Sequence, residues 1–249
     1  MDCTLRIFAH SGSVTHKGNL RDLNEDAFYS DDQLSLWCIA DGMGGYDAGE
    51  VAAALAVERI SQVPLEGAIQ SKIHDLSKQL ELLNQELLVT LDRGEDSIMG
   101  CTVVVAVVDQ QQCACLWAGD SRLYLFRDDF LYQMSTDHSL VQEMVERGII
   151  AEQDRASHPK RHIITRALGV HEDLVLDSIS FDLVPGDCLL LCSDGLYSEL
   201  APDQIASVMA CDKTPLEKSQ QLVDQVLLGA AKDNITVSVI EIVEGSHSR

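Results

Sequence analysis

The sequence lacks any apolar run approaching the roughly 20 residues that a helix needs to span a bilayer. Its first residues lack the basic start and apolar middle of a signal peptide, so we expect a cytoplasmic protein with no membrane partner. Basic side chains are scarce: 18 lysines and arginines stand against 40 acidic residues, for a formal net charge of −22. Because nucleic acids are bound largely through Lys and Arg contacts to phosphates, this balance argues against a nucleic-acid partner.

The eight cysteines do not have zinc-ligand spacing. Cys113 and Cys115 are separated by one residue, Cys188 and Cys192 by three, and no pair of histidines completes a set. Most of the cysteines lie within apolar runs, as is typical of free buried thiols. We therefore predict reduced packing residues and neither a zinc site nor a disulfide framework.

What the sequence does contain is enough chain for one large folded domain. Apolar residues make up 46% of the 249 residues, as in a folded globular protein. The chain contains no linker that would separate two domains, and no internal repeat. Strand-like and helix-like segments are segregated in blocks, with about ten strands and five helices, which predicts an α+β fold with largely antiparallel sheets. We predict a single domain over residues 1–245 and a short tail over 246–249.

Several local patterns predict individual elements. A stripe of leucines and isoleucines from Leu65 to Leu91 predicts a helix that packs on the core, not a coiled coil. Thr214-Pro215-Leu216-Glu217 is a capping box that starts a helix, and Asp47 could cap another with Glu50. The runs Cys113–Ala118 and Leu123–Phe126 predict a hairpin with Asp120 in its turn.

Acidic residues recur where apolar strand-like runs begin or end. Asp41 closes one such run and opens the turn Asp41-Gly42-Met43-Gly44-Gly45, whose glycines let the backbone approach a ligand closely. Asp-Gly is a common turn dipeptide, so this turn by itself would indicate an ordinary loop. The same placement is repeated at Glu25-Asp26, Asp120, Asp194 and Asp233, and that repetition favours a ligand site.

The candidate site is rich in the hard oxygen ligands that magnesium and manganese prefer. Carboxylates gathered closely would repel one another without a cation, so a shared metal site is the simplest explanation. Two ions bridged by one carboxylate would generate a hydroxide and neutralise a phosphate, while Arg21 would bind phosphate oxygens bidentately. No Ser or Cys stands in a recognisable nucleophile setting, which predicts direct attack by a metal-bound hydroxide without a phosphoenzyme.

Six segments, in order along the chain, resemble the motifs of the metal-dependent protein serine/threonine phosphatases, the type 2C protein phosphatases, in their compact bacterial form. Each motif alone is weak, but six in the expected order are specific, and they span nearly the whole chain. They are Arg21-Asp22-Leu23-Asn24-Glu25-Asp26, Asp41-Gly42-Met43-Gly44-Gly45, Gly100-Cys101-Thr102, Gly119-Asp120-Ser121-Arg122, Ser193-Asp194-Gly195-Leu196 and Asp233-Asn234-Ile235-Thr236.

The resemblance implies a four-layer α-β-β-α sandwich, in which two antiparallel β-sheets are flanked by helix pairs and the metals lie at one end. It implies that Asp41 bridges two Mn²⁺ or Mg²⁺ ions. Asp194 and Asp233 would bind the first ion, and the Gly42 carbonyl would bind the second. The whole of residues 1–245 would be the catalytic domain, with a flap over about 137–169 beside the site.

The resemblance also assigns roles around the metals. Glu25 and Asp26 would orient metal-bound waters, and Arg21 would bind the substrate phosphate. Bacterial members often hold a third, weaker ion, to which Asp120 and Asp194 would contribute.

The chain departs from the family pattern at one position. Some members have a histidine where this chain has Met43, and that histidine is proposed to protonate the leaving oxygen. Because methionine cannot donate a proton, a metal-bound water or a flap histidine, His158 or His162, must serve instead. Both belong to a basic cluster with Lys160 and Arg161, which could meet an anionic substrate or could equally be a solvated loop.

The leading hypothesis is an active phosphatase, a monomer that hydrolyses phosphoserine and phosphothreonine in protein targets of a cognate Ser/Thr kinase. The alternative is a non-catalytic phosphatase-like module that binds phosphoproteins. Catalytically dead relatives usually lose a ligand aspartate, whereas every motif aspartate is present here. A purely acidic cation-binding surface would fit the net charge of −22 but not the placement of carboxylates beside glycines.

Overall fold

The computed structural model describes residues 6–44, 48–90 and 99–245, which form two antiparallel β-sheets packed face to face. The strands are β1 (Ile7–His16), β2 (Asp26–Asp31), β3 (Leu36–Gly44), β4 (Met99–Cys101), β5 (Val103–Asp109), β6 (Gln112–Ala118), β7 (Arg122–Arg127), β8 (Phe130–Gln133), β9 (Asp177–Asp182), β10 (Cys188–Cys192) and β11 (Ile235–Glu244).

Helices cover the outer faces of both sheets. They are α1 (Ala48–Ser61), α2 (Ile69–Thr90), α3 (Leu140–Glu146), α4 (Asp194–Tyr197), α5 (Pro202–Met209) and α6 (Pro215–Leu227), with a 3₁₀ turn at Glu152–Asp154. One sheet has the order β1-β11-β10-β7-β8, and the other has the order β2-β3-β5-β6-β9 with β4 paired to β3. The pair α1 and α2 packs on the second sheet, and α5 and α6 pack on the first. This arrangement confirms the predicted α+β fold and its four layers.

The core has three layers because the central strands are buried on both faces. In β3, Trp37 and Ile39 point between the sheets, whereas Leu36, Cys38 and Ala40 pack against α1 and α2. This follows from the two-residue period of a strand. The unbroken apolar run of β5 is explained in the same way, since a strand covered on both faces has no solvent side.

The predicted hairpin around Asp120 is wrong. β6 pairs with β5 and β9 in one sheet, whereas β7 pairs with β10 and β8 in the other. The turn between them therefore passes from sheet to sheet, and Gly119 accommodates it with a φ of +116°. Both strands are buried almost throughout, so their sequences carry no alternation that could distinguish a hairpin from a crossing.

Helix starts depend on their caps. α3 begins at Leu140, because the Ser139 hydroxyl caps it by accepting from the Gln142 N–H. The leucine stripe lies largely on α2, which begins at Ile69. The predicted capping box of α6 is confirmed. The proposed Asp47 cap lies outside the described residues.

Most of the described cysteines are buried free thiols. Seven cysteines in the described ranges are free thiols, and all but Cys211 are buried, as predicted for packing residues. Burial raises the pKa of the Cys188 thiol to about 12, so this group stays protonated at neutral pH.

Within the described residues, no helix has the length and apolar character needed to cross a bilayer.

Thr214→Ala should lower the free energy of unfolding by about 1 kcal/mol, because it removes the hydroxyl that accepts from the Glu217 N–H. Urea denaturation measures this change. Ala201→Ser is the matched control: Ala201 is the N-cap of α5 without a side-chain cap, so a hydroxyl there should raise stability. Equal stability of Thr214→Ala and the wild type would contradict the role of the cap.

Candidate active site

Two predicted carboxylates face each other across paired strands. Asp26 opens β2 and stands opposite Asp41 of β3 in the antiparallel register. The backbone around Asp41 is fixed, since the Thr102 N–H donates to Asp41 O at 2.8 Å and the Gly42 N–H donates to Glu25 O at 3.1 Å. Like charges directly opposite in a sheet are destabilising, so this pair needs compensation.

Asp26 is held by one of its two carboxylate oxygens. The hydroxyls of Ser193 and Thr236 donate to Asp26 Oδ2 at 2.8 and 2.7 Å. Asp26 Oδ1 is buried and has no hydrogen-bond partner among the described residues. Burial raises the pKa of Asp26 to about 6 against the effect of the two hydroxyls. The side chain is thus oriented with one oxygen still available.

The loop before β2 is joined to the start of β11 through Asn234. Its side chain accepts the Glu25 N–H at 2.8 Å and donates to the carbonyls of Lys17 and Leu23 at 3.0 and 2.8 Å. Asp233, the preceding residue, is therefore held beside this loop. Arg21 Nη2 lies 2.8 Å from Asp233 Oδ2, in a pair whose side chains are 50% and 38% exposed.

These elements surround a cavity of about 490 Å³ at one end of the sandwich. Six of the eight predicted site residues line it: Arg21, Glu25, Asp41, Gly42, Asp194 and Asp233. Asp26 lies buried beside Asp41, and Asp120 lines an adjoining cavity of about 220 Å³ that also reaches Asp194. The sequence thus predicted residues that the fold gathers at one end of the molecule.

Burial, and after it mutual repulsion, disfavours the ionised carboxylates at this end of the sandwich. Burial raises the pKa of Asp41, and the charges of Asp26, Asp194, Asp120 and Asp233 raise it further. Burial likewise raises the pKa of Asp194, with Asp120 and Asp233 as the nearest repelling charges. A divalent cation among these groups would favour their ionised forms and remove the repulsion.

The residues present fit a divalent cation. In the ranges 6–44, 48–90 and 99–245, no three His, Cys, Asp or Glu side chains form a ready-made ligand cluster. Magnesium characteristically keeps several waters and uses one or two carboxylates, so a preformed cluster is not required. The donors are hard oxygens, and the buried Oδ1 atoms of Asp26 and Asp120 lack hydrogen-bond partners in the described chain. Uncompensated carboxylate oxygens of this kind are what a cation would satisfy.

Comparisons with known proteins agree with this geometry. The model of the family "Protein phosphatase 2C" matches residues 7–151. The serine/threonine phosphatase stp of Listeria innocua is 33% identical over 240 residues, which cover 93% of this chain and 95% of that protein.

The chain belongs to the protein phosphatase 2C family. The predicted membership among metal-dependent protein serine/threonine phosphatases is therefore confirmed, and with it the enzyme class.

Solved structures of similar proteins extend the agreement to the fold. PppA, described as a key regulatory component of the T6SS in Pseudomonas aeruginosa, has a TM-score of 0.88 at 35% identity, covering 94% of this chain and 98% of that one. The catalytic domain of the phosphatase PstP, in complex with 2 manganese ions, has a TM-score of 0.85 at 28% identity, covering 95% and 99% of the two chains.

Some residues that shape this phosphatase 2C site were not assigned roles from the sequence. Asn234 joins the two loops, and Ser193 and Thr236 orient Asp26. All three lie within the motifs that carried the family resemblance, so the motifs were the signal. Their functions could not be recognised because each acts on a residue far away in the sequence.

The basic flap cluster is divided by the fold. Arg161 and His162 line the 490 Å³ cavity, whereas His158 and Lys160 are not among its lining residues. Lys232 lines the same cavity. The lining of an otherwise acidic cavity therefore also carries positive charge, which suits an anionic ligand.

Gly42→Ala should lower the free energy of unfolding by about 1–3 kcal/mol or more, as overpacking does. A Cβ on Gly42 would lie 2.2 Å from Gly49 O and 2.6 Å from Glu25 O, and neither backbone atom can rotate away. Gly229→Ala, where the nearest atom is 3.3 Å away, is the control and should change stability little. Urea denaturation compares the two; equal stability would show that the approach of α1 to β3 is not so close.

Proposed function

We propose that this protein phosphatase 2C member hydrolyses phosphoserine and phosphothreonine in proteins with two divalent ions, Mn²⁺ or Mg²⁺. The observation that carries the proposal is the gathering of Asp41, Asp194 and Asp233 around one cavity that also contains Arg21. A similar structure, the PstP catalytic domain, was solved with 2 manganese ions. The names of the relatives, serine/threonine phosphatases, support the substrate class.

Asp41 would be shared by both ions, with Asp194 and Asp233 on the first and the Gly42 carbonyl on the second. A third, weaker ion would use Asp120 and Asp194. When bound, the ions would lower the pKa of a water so that it attacks phosphorus, and would neutralise the charge of the phosphate. The choice between Mn²⁺ and Mg²⁺ belongs to this proposal, because the oxygen donors suit both.

Arg21 would bind the phosphate of the substrate. Its guanidinium pairs with Asp233 Oδ2, and this hydrogen bond is the main cause that raises the pKa of Arg21. A cation that compensates Asp233 would leave the guanidinium available to a second anion in the same cavity. Because a guanidinium binds phosphate oxygens bidentately, Arg21 would orient the phosphate as well as attract it.

Asp26 and Glu25 would orient the attacking water. Asp26 Oδ2 is committed to the Ser193 and Thr236 hydroxyls, so Oδ1 is the atom that would accept a hydrogen bond from the water. Glu25 lines the cavity beside it. The backbones of both residues are fixed, that of Glu25 by Asn234 and that of Asp26 by the β2–β3 pairing.

The leaving serine or threonine oxygen needs a proton, and Met43 lines the cavity without one to give. His162 lines the same cavity, but it is largely exposed, and burial together with Arg161 lowers its pKa. We therefore infer that His162 is not an essential acid and that water serves as the proton donor.

We further propose that residues 1–245 act as one catalytic domain, as a monomer in the cytoplasm, on protein targets of a cognate Ser/Thr kinase. The alternative, a non-catalytic phosphoprotein-binding module, is not favoured. Each aspartate that the motifs require is present, and the fold brings Asp41, Asp194 and Asp233 to one cavity.

The direct test is hydrolysis of a phosphothreonine peptide in millimolar manganese. We expect turnover that EDTA abolishes and that Asp194→Ala and Asp41→Asn reduce to background. Asp41→Asn should also weaken manganese binding while leaving the circular dichroism spectrum intact, because it removes charge without changing volume. Asp203→Asn, an exposed change on α5, is the matched control and should remain active. Tight peptide binding by folded wild type without turnover would favour the non-catalytic alternative.

His162→Ala should slow peptide dephosphorylation less than tenfold, because an exposed rim residue can assist binding without supplying the essential proton. Steady-state kinetics on the same peptide measure this, with His158→Ala as the control outside the cavity. A loss as large as that of Asp41→Asn would mean that His162 is the acid.

A further inference from the structure

The loop that carries Asp120 is tied on one side by His138. The His138 N–H donates to Gly119 O at 2.9 Å, and the Gly119 N–H donates back to His138 Nδ1 at 3.1 Å. Two reciprocal hydrogen bonds fix the peptide groups on either side of Gly119. Gly119 has a φ of +116°, which glycine adopts readily, so these two bonds select one of the several conformations open to it.

The ring of His138 is itself fixed. Nδ1 accepts a backbone N–H, so the ring proton of the neutral form lies on Nε2, which is 3.1 Å from Asp177 Oδ2 and 3.2 Å from Arg166 Nη1. Arg166 donates to the other oxygen of Asp177 at 3.1 Å. The ring also stacks on Trp117, with centroids 6.1 Å apart. The imidazole therefore presents Nδ1 to Gly119 in one orientation.

Tyr197 ties the same loop on the opposite side. Its hydroxyl donates to Asp120 O at 2.8 Å. The Arg122 guanidinium lies 3.4 Å from the centre of the Tyr197 ring and is held by two hydrogen bonds of 2.7 and 2.6 Å to Asp137. Because the ring is stacked on a fixed guanidinium, the hydroxyl has little freedom to leave Asp120.

The backbone of Gly119 and Asp120 is thus held from two sides, whereas Asp120 Oδ1 is buried and has no hydrogen-bond partner among the described residues. We propose that His138 and Tyr197 form a clamp of positioning residues that sets Asp120 for the weaker divalent ion. This inference rests on the proposed function, which assigns that ion to Asp120 and Asp194. It predicts that the affinity for the weaker ion depends on bonds made to the backbone of the loop.

Tyr197→Phe tests one side of the clamp, because it removes the hydroxyl and keeps the ring on Arg122. We expect manganese titration calorimetry to show the weakest ion bound about five- to tenfold less tightly, a factor that matches one lost hydrogen bond. Amide hydrogen exchange at Asp120 and Ser121 in metal-free protein should also become faster.

Tyr124→Phe is the matched control. It removes a buried hydroxyl that accepts from Arg122 Nη1 at 2.6 Å, in the same network, whereas the bonds to Gly119 and Asp120 described above come from His138 and Tyr197. It should lower thermal stability and leave the manganese isotherm unchanged. A comparable change of the isotherm in Tyr197→Phe and Tyr124→Phe would mean that the network acts only through general stability, which overturns the clamp.

Two substitutions of His138 test the other side of the clamp, one that keeps a hydrogen-bond acceptor and one that removes it. His138→Asn keeps an acceptor near the position of Nδ1 and should bind the weakest ion within about twofold of wild type, since the Gly119 N–H remains satisfied. His138→Leu removes that acceptor and should weaken binding like Tyr197→Phe. Asp120→Ala defines the isotherm without the ion.

Several outcomes would overturn the clamp. Asp120→Ala could bind manganese as wild type does, leaving no ion for the clamp to position. The clamp would also be overturned if Tyr197→Phe and His138→Leu both gave wild-type manganese isotherms. An equal loss of affinity for the weakest ion in His138→Asn and His138→Leu would overturn it as well. An inactive wild type would contradict the proposed function instead, and the isotherms and amide exchange would still decide on the clamp.

Discussion

Repulsion among buried carboxylates is the physical constraint on which the rest of this structure depends. Asp41 and Asp194 each have a raised pKa because burial and neighbouring acidic groups disfavour their charge. Both residues nevertheless lie in regular secondary structure: Asp41 is within β3, opposite Asp26, and Asp194 opens α4. Unless a cation compensates them, these buried carboxylates oppose folding. The same residues therefore govern both the stability of the site end of the sandwich and its capacity to bind metal.

Two kinds of interaction shape this molecule: apolar packing forms the sandwich, and directional hydrogen bonds arrange the site. Apolar burial between the sheets and beneath the helices supplies a close-packed and rigid base. Hydrogen bonds from Ser193 and Thr236 then orient the Asp26 side chain, and the Asn234 side chain holds the backbone of the loop that carries Glu25. The flap contributes Arg161 and His162 to the rim, where positive charge can meet an anion without disturbing the buried groups.

The sequence predicts this protein well wherever the signal is local. The order of the carboxylate motifs and the Thr214 cap can be read from neighbouring residues, and the motifs identify the family. The turn predicted to open at Asp41 is wrong for residues 41–44, because they continue β3, in which 42–44 pair with the distant strand β4. Non-local features could not be read. The bond between Glu25 and Asn234 joins residues 209 apart, and the pairing of Arg21 with Asp233 spans 212 positions. The crossing at Gly119 was mistaken for a hairpin because strands buried on both faces show no alternation.

The two hydrogen bonds of Asp26 have a consequence beyond the site. Asp26 belongs to β2 in one sheet, whereas Ser193 and Thr236 belong to the end of β10 and to β11 in the other. The hydrophobic effect that holds the sheets together is non-directional. A carboxylate bonded to two hydroxyls adds direction, because its hydrogen bonds weaken steeply with angle. The same side chain therefore sets both the alignment of the two sheets and the shape of the site. A substitution that shifts one sheet against the other would also change the site.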